Sequence, residues 1–342
     1  MSVCPLLFDP IYKPRLWGGR RLSDVLGREV PDTGPIGESW EVADLESDQS
    51  VARGPDAVAG RTLGEIVRAW GADLLGEAPL FGGRFPLLIK YLDAREDLSV
   101  QVHPDDATAR ALGGGVRVKH EAWYIVAADR DACIFRGLRP GVDRDGLRDA
   151  IRRDRVVELL HRVPVAAGEC YYVPSGTLHA LGAGVLVAEI QTPSDVTYRV
   201  YDWGRADPAT GRPRDLHIEE ALGCITLGPQ SFPQEVRTEV AGVWTSATRL
   251  IACESFVVDR AGAPAGLDRP IPHAEIAIWM VLEGRGRIRW GRDGHDATLA
   301  FRGGDTLVLP AGLGPAQLVT EEDCVWLNVT VPKGKGDAGP TG

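Results

Sequence analysis

The sequence lacks the features that mark membrane, secreted and nucleic-acid-binding proteins. Its N-terminus has no basic segment followed by a long apolar stretch, so we expect no signal peptide. The longest apolar runs, such as Phe85–Ile89 and Ile276–Leu282, fall well short of the roughly 20 residues of a membrane-spanning helix. A net charge of -10 leaves no surplus of Lys and Arg for a phosphate backbone. We therefore expect a cytoplasmic protein with neither a membrane nor a nucleic acid as partner.

Cysteine pairing is also absent, because the six cysteines are scattered and form no C-x-x-C pair. This pattern favours reduced thiols that pack as small hydrophobic side chains. With 342 residues and 44% hydrophobic composition, the chain is long enough for a large core and for two domains. An anionic small molecule is still compatible with the net charge, since a few basic side chains converging in a cleft decide the local field.

Short strand-like segments dominate the sequence from residue 85 onward. They are rich in β-branched and aromatic residues and are bounded by Gly, Pro or Asp. The clearest are Phe85–Leu92, Leu98–His103, Ala122–Val126, Glu169–Val173 and Val185–Gln191. Helical spacing of apolar residues appears at 62–75 and 143–160. These patterns predict a mainly β protein with attached helices.

An internal repeat predicts that one small β-barrel occurs twice. Residues 168–179 align without gaps on residues 304–315, with Gly before an acidic residue at the start of each strand and Pro-x-Gly at its end. Residues 122–126 likewise align on residues 278–282. The copies differ at two polar positions, since His179 corresponds to Pro315 and Glu121 to Ala277. The second copy has therefore lost polar residues that the first retains.

The first copy carries residues that suit a metal site. Gly168, Pro174, Gly176 and His179 resemble the second motif of the cupin superfamily, in which this His binds a metal in a small double-stranded, jelly-roll-type barrel. The first motif usually supplies His-x-His, whereas this chain has Gln101-Val-His103, and alternating residues of a strand point to one face. Imidazole, carboxylate and amide ligands suit zinc, and also manganese, cobalt or iron(II).

Several longer segments, in order along nearly the whole chain, resemble type I phosphomannose isomerases (mannose-6-phosphate isomerases) in the short form common in bacteria. The matching segments are residues 36–41, 98–106, 119–124, 173–180 and 189–202. The resemblance implies an enzyme that interconverts mannose 6-phosphate and fructose 6-phosphate, with a sugar phosphate as its small-molecule partner. It also implies one Zn²⁺ as cofactor, for which Mn²⁺ or Co²⁺ are alternatives.

The same resemblance implies site residues in this chain. The metal ligands are Gln101, His103, Glu121 and His179, and the active-site residues are Arg199 and Lys119, with Asp195, Glu189, Lys90 and Ser99 also lining the pocket. His120 departs from the family, in which Thr or Pro usually stands at this position.

The expected reaction moves a proton between C2 and C1 through an enediol-type intermediate. It needs a positioned base and an electrophile for the developing oxygen charge, which a metal ion can provide. Arg199 is suited to stabilising negative charge or phosphate, and Lys119 to proton transfer if its pKa falls. Asp195 or Glu189 could assist ring opening, and the sequence leaves the choice of base open.

The domain prediction is a catalytic barrel at 1–235 with an N-terminal extension and a helical insertion at about 141–162, a metal-free barrel at 236–333 and a flexible tail at 334–342. The second barrel is expected to pack against the first, or to serve dimerisation or allostery, in a monomer or homodimer. Two other functions remain open from the residues: a cupin oxygenase and a non-catalytic sugar-binding bicupin. Related members that act on other or unphosphorylated sugars are a further alternative.

Overall fold

The protein is described from a computed structural model. The structure describes residues 2–32, 34–105, 108–109, 111, 118–206, 211–228, 230, 232, 238–241, 246–272, 274–292 and 295–334. The predicted tail at 334–342 lies outside these residues except for Gly334. No disulfide bond joins any of the six cysteines, all of which lie among the described residues. No described helix is long and apolar enough to cross a membrane.

The chain is mainly β, as predicted, and its sheets are antiparallel. The strands are β1 (Leu6–Phe8), β2 (Ile11–Gly19), β3 (Ile36–Val42), β4 (Ala52–Gly54), β5 (Leu88–Ala94), β6 (Val100–Val102), β7 (Glu121–Ala128), β8 (Cys133–Leu138), β9 (Leu160–Pro164), β10 (Cys170–Val173), β11 (His179–Leu181), β12 (Val185–Gln191), β13 (Tyr198–Tyr201), β14 (Thr238–Ala241), β15 (Ser246–Ala252), β16 (Val257–Ala263), β17 (Asp268–Pro270), β18 (Ala277–Glu283), β19 (Arg285–Arg292), β20 (His295–Arg302), β21 (Thr306–Leu309), β22 (Ala316–Thr320) and β23 (Cys324–Thr330). The helices are α1 (Arg21–Asp24), α2 (Leu63–Trp70), α3 (Ala72–Leu75), α4 (Arg144–Arg152) and α5 (Ile218–Cys224), with a 3-10 turn at Val156–Leu159.

Two compact units share the chain, and each is built from two sheets. Unit A comprises Tyr12–Trp40 and Ile89–Gln234, and unit B comprises Met1–Ile11, Glu41–Leu88 and Glu235–Gly342. The sequence prediction instead placed all residues before 236 in one domain. The difference arises because β1 pairs with both β4 and β21, which joins the start of the chain to its C-terminal part.

Unit A contains a six-stranded sheet, in the order β10-β7-β12-β5-β3-β2, and a five-stranded sheet, in the order β13-β6-β11-β8-β9. One hydrophobic cluster joins the inner faces of these sheets, with Trp123 and Val187 from the first and Ile134 and Leu181 from the second. A second cluster packs α4 and α5 on the five-stranded sheet. The sheet that carries the predicted ligand Gln101 is therefore apolar on both faces away from the site.

Unit B has an eight-stranded sheet, in the order β14-β15-β16-β23-β18-β21-β1-β4, and a four-stranded sheet, in the order β17-β22-β19-β20. A cluster that includes Trp279 and Leu307 from the larger sheet and Ile288 and Leu318 from the smaller joins the two. All four sheets are open within the described residues, each with two edge strands.

The two predicted helical segments are broken by backbone geometry. The segment at 62–75 forms α2, which begins with a capping box between Thr62 and Glu65, and α3, because Gly71 adopts a φ of 52° between them. The segment at 143–160 forms α4, capped by Asp143, and then a separate 3-10 turn after Asp154, whose φ is 55°. Residues 160–164 are a strand rather than the end of a helix.

Candidate active site

A row of predicted site residues crosses three neighbouring strands of the five-stranded sheet. Gln101 on β6 lies opposite His179 on β11 and opposite Arg199 on β13. Directly opposed residues of antiparallel strands project from the same face, so strand register alone brings these three side chains together. The Nε2 atoms of Gln101 and His179 thereby lie 3.4 Å apart, although the two residues are 78 positions apart in sequence.

The turn before β11 fixes the position of His179. Gly176 adopts a φ of 79°, and a Cβ atom there would lie 2.6 Å from Thr226 Oγ1. Its amide donates to the carbonyl oxygen of His103 at 2.9 Å, so the turn also holds a second predicted ligand. Glycine is required here because both the left-handed backbone and the close packing exclude a side chain.

Glu121 adds a side chain from the six-stranded sheet to this row on the five-stranded sheet. It begins β7, and its Oε1 lies 3.1 Å from His103 Nε2 while its Oε2 lies 3.5 Å from His179 Nε2. Ligand atoms of the three residues all lie within 4.8 Å of one another, and all three side chains are buried. Two sheets of unit A therefore contribute ligands to one compact cluster.

The protonation of the two imidazoles shows that this cluster fits a cation. The Nδ1 atoms of His103 and His179 lie 2.9 Å and 2.8 Å from the backbone carbonyl oxygens of Val196 and Thr177. Because a carbonyl oxygen only accepts, each Nδ1 carries the proton and each Nε2 is left with a lone pair. The His103 lone pair faces Glu121 Oε1 at 3.1 Å and the His179 lone pair faces Glu121 Oε2 at 3.5 Å, so acceptor atoms face one another. A bound cation would convert this repulsion of acceptors into coordination.

Burial and charge hold the ligands in the protonation states that a metal requires. Burial, followed by the Lys119 ammonium, lowers the pKa of His103 to about 3, and burial also lowers the pKa of His179. Burial would raise the pKa of Glu121, but the Lys119 ammonium, whose Nζ lies 2.7 Å from Oε1, holds it well below its usual value. Neutral imidazoles and an ionised carboxylate are the metal-binding forms.

A buried ion network forms the adjoining wall. Lys90 Nζ lies 2.8 Å from Glu189 Oε2 and 3.9 Å from Glu38 Oε2. Although burial disfavours the ammonium, these carboxylates raise the pKa of Lys90, so it remains charged. Burial raises the pKa of Glu189, and Trp123 Nε1 donates to its Oε1 at 2.8 Å. The Trp123 ring also contacts His179 edge to face, which joins this wall to the ligand cluster.

A cavity of about 360 Å³ in unit A brings the predicted residues together. Eight of the ten predicted residues line it: Lys90, Ser99, Gln101, Lys119, Glu121, Glu189, Asp195 and Arg199. The other two, His103 and His179, contact Glu121 beneath it. Burial, followed by the nearby Arg214, lowers the pKa of Arg199, whose Nη1 donates to the Asp215 carbonyl at 3.0 Å.

Sequence reasoning missed several charged residues of the cavity. Glu38 lies within a fully buried strand and accepts from Arg15 Nε at 2.6 Å and Trp40 Nε1 at 2.7 Å. The Arg15 and Lys90 charges outweigh burial and lower the pKa of Glu38 to about 2. Arg214, held by Asp202, is a second cation beside Arg199. Charges inside the apolar segment 36–42 are the signal that could have revealed Glu38.

Comparison with known proteins decides the family. Residues 6–125 match the model of the phosphomannose isomerase type I catalytic domain. Mannose-6-phosphate isomerase ManA of Bacillus subtilis is 38% identical over 330 residues, which cover 95% of this chain and 99% of that protein. The chain belongs to the type I phosphomannose isomerase family. This confirms the resemblance seen in the sequence and the prediction of an enzyme.

Other members of the family agree with this assignment. The mannose-6-phosphate isomerase of Streptococcus mutans is 36% identical over 90% of this chain and 92% of its own length. The crystal structure of the mannose 6-phosphate isomerase from Bacillus subtilis superposes with a TM-score of 0.84 at 31% identity, covering 95% of this chain and 99% of that one. In this member, His103, Glu121 and His179 form a group that could hold a metal ion.

Proposed function

We propose that this protein interconverts mannose 6-phosphate and fructose 6-phosphate with the help of one divalent metal ion. The observation that carries the proposal is the buried cluster at the cavity, in which two neutral imidazoles turn acceptor nitrogens toward one carboxylate. Cationic side chains stand in the same cavity at Lys119, Arg199 and Arg214. A cavity that combines a metal-binding cluster with cationic side chains suits a phosphorylated sugar.

The residues that would hold the ion are Gln101, His103, Glu121 and His179. Gln101 would present its amide oxygen, which requires the amide to turn so that its nitrogen no longer faces His179. This mixed nitrogen and oxygen set favours Zn²⁺, with Mn²⁺ or Co²⁺ as alternatives. When bound, the ion supplies an electrophile that stabilises negative charge on the oxygens at C1 and C2.

The protein's own groups supply substrate binding and proton transfer. We assign Arg199 to negative charge on the substrate, since its guanidinium lines the cavity and remains a cation. Glu189 and Lys119 are assigned to proton transfer between C1 and C2 through an enediol, because an acid with a raised pKa and an amine both stand at the cavity. Asp195 would assist ring opening, and Ser99 would bind the sugar. Lys90 acts on the substrate through Glu189, which it contacts.

The proposal extends to architecture and location. We propose that the paired sheets of each unit form cupin-like, double-stranded barrels, supported by the hydrophobic clusters that join them. We also propose residues 1–235 and 236–333 as a catalytic domain and a second, metal-free domain, although the compact units divide the chain differently. The lack of a disulfide bond among the six cysteines supports a reducing compartment such as the cytoplasm. A monomer or a homodimer is proposed.

A coupled assay of mannose 6-phosphate conversion to fructose 6-phosphate tests the proposal. Chelation, His179→Ala and Arg199→Ala should each abolish turnover, whereas Arg153→Ala, at an exposed position after α4, should not change it. Mass spectrometry should find a divalent metal in the wild type and in Arg199→Ala but not in His179→Ala. Near-normal turnover by Arg199→Ala would refute its role, and stoichiometric oxygen consumption with substrate would refute isomerisation.

A further inference from the structure

Unit B repeats the strand pairing of the catalytic cavity residue for residue. In unit A, β7 pairs with β12 so that Trp123 lies opposite Glu189. In unit B, β18 pairs with β23 so that Trp279 lies opposite Asn328. The indole nitrogen donates to the opposite side chain in both units, at 2.8 Å to Glu189 Oε1 and at 2.8 Å to Asn328 Oδ1. The Trp123–Glu189 and Trp279–Asn328 pairs are therefore the same structural element with different acceptor side chains.

A cavity of about 220 Å³ adjoins the Trp279–Asn328 pair. Ala277 lines it at the position that Glu121 occupies in unit A, since Ala277 pairs with Leu309 as Glu121 pairs with Val173. Loss of the ligand side chain thus left space rather than a filled core. A cavity of about 150 Å³ can hold a benzene ring, so this one has room for a single six-membered ring with substituents.

The walls of this cavity combine aromatic faces with directed polar groups. Trp279 and Trp326 both line it, with ring centroids 4.8 Å apart. Because an indole N–H only donates, Trp279 fixes the Asn328 amide with its oxygen toward the indole and leaves the NH₂ group to donate elsewhere. Asp259, which accepts from Arg249, adds an acceptor at the cavity. Indole faces bordered by amide and carboxylate groups match the alternating C–H and O–H surfaces of a sugar ring.

Charge distinguishes this cavity from the catalytic one. Its described lining contains one carboxylate and one guanidinium, Asp259 and Arg269, and neither histidine nor cysteine. Such a lining has no surplus positive charge for a phosphate and no soft ligand for a metal. The ligand that fits is therefore neutral.

We propose that the cavity of unit B is a metal-independent binding site for one neutral pyranose ring. The ring would stack on Trp279 and Trp326 and hydrogen-bond to Asn328 and Asp259. Ala277 would make the necessary room. The proposal does not depend on the isomerase activity, because the unit A ligands take no part in it.

Fluorine NMR of the full-length protein labelled with 5-fluorotryptophan can test this proposal. Trp279→Phe and Trp326→Phe assign the two resonances, and methyl α-mannopyranoside is the probe, with cyclohexanol as an apolar ring of similar size. We expect the mannoside to shift both resonances with a millimolar Kd in native and in chelator-treated protein. Ala277→Leu should fill the cavity and weaken binding by about tenfold or more.

The matched control places the same substitution on the exposed surface of unit B. Ala297→Leu on β20 should leave mannoside binding unchanged, and both leucine variants should unfold cooperatively in urea as the wild type does, which shows that they are folded. The proposal is overturned if the mannoside shifts neither resonance, if cyclohexanol shifts them and the mannoside does not, or if Ala277→Leu binds as tightly as Ala297→Leu. Loss of the shifts after chelation would overturn its metal independence.

Discussion

Both units have a tryptophan at the equivalent position of an equivalent strand pair. Unit A has a cluster of metal-binding type beside it, whereas unit B has a cavity with largely apolar walls. Glu121 and Ala277 occupy equivalent positions at the start of their strands, and Glu189 and Asn328 both accept from the neighbouring indole. The shared hydrogen bond holds two strands together in both units. The difference in chemistry follows from a few side chains placed on a common scaffold.

The largest effect is expected when Glu121 of unit A is replaced by alanine, the residue at the equivalent position of unit B. Glu121→Ala removes the ligand that both imidazoles contact, so metal content should fall to background. Because even outer-shell partners of metal ligands contribute about 10–100-fold, we expect turnover to fall by more than about 100-fold. Metal analysis and the coupled isomerase assay measure the two losses.

The reciprocal change serves as its control. Ala277→Glu adds a carboxylate without imidazole neighbours among the described lining of the unit B cavity, so it should bind no metal. Retained turnover in this variant would show that a carboxylate has a function only beside His103 and His179. A metal gained in unit B would contradict the comparison.

The next largest effect is expected at the buried ammonium of Lys90 in unit A, and it concerns the stability of the fold. Lys90→Met keeps much of the side-chain volume but leaves Glu189 and Glu38 without their shared ammonium. Breaking a buried ion pair in this way costs about 3–5 kcal/mol, measured as the free energy of unfolding in urea. Adding Glu189→Gln should recover part of the loss, whereas an unchanged loss would show that the methionine packs badly.

A smaller, pH-dependent effect is expected at Glu38. The Arg15 and Lys90 charges hold its folded pKa at about 2, against 4.5 ordinarily, so its stabilisation is complete above pH 4.5 and is lost as the pH falls toward 2. Glu38→Gln should therefore cost at most about 3 kcal/mol at pH 7, and less as the pH decreases through 4. Urea unfolding between pH 7 and pH 3 measures this. A constant difference in unfolding free energy between Glu38→Gln and the wild type across this range would refute the assignment.

The smallest effect tests the element that both units share. Trp123→Phe and Trp279→Phe each remove one indole N–H and leave its acceptor unpaired, which should cost about 1–3 kcal/mol in either unit. Isomerase turnover should fall for Trp123→Phe, because this ring also contacts His179, and remain normal for Trp279→Phe. Equal losses of turnover would remove the functional distinction between the two copies.

The sequence repeat predicted this comparison because strand alternation and turn chemistry are local properties. The equivalences of Glu121 with Ala277 and of Trp123 with Trp279 could be read directly from the aligned segments, and strand pairing follows the same register. The proximity of Gln101 and His103 was likewise predictable, although His103 lies directly after β6 rather than within it. Glu121 comes from the other sheet of unit A, so no local pattern could place it beside them.

Long-range pairing and single backbone angles were not predictable. The grouping of residues 1–11 and 41–88 with unit B depends on pairing between β1 and β21, separated by about three hundred positions of sequence that no local pattern connects. The break at Gly71 depends on one dihedral angle. Glu38 was overlooked because its partners, Arg15 and Lys90, come from two other strands.

We expect the site to form late in folding, because Arg199, Gln101 and His179 come from three different strands. The pairing of these strands closes loops of many tens of residues before any ligand meets another. A slip of β6 by one residue would turn Gln101 to the opposite face of its sheet. Metal-binding competence should therefore recover after the bulk of the secondary structure, and the time course of metal uptake during refolding reports when these three strands reach their native register.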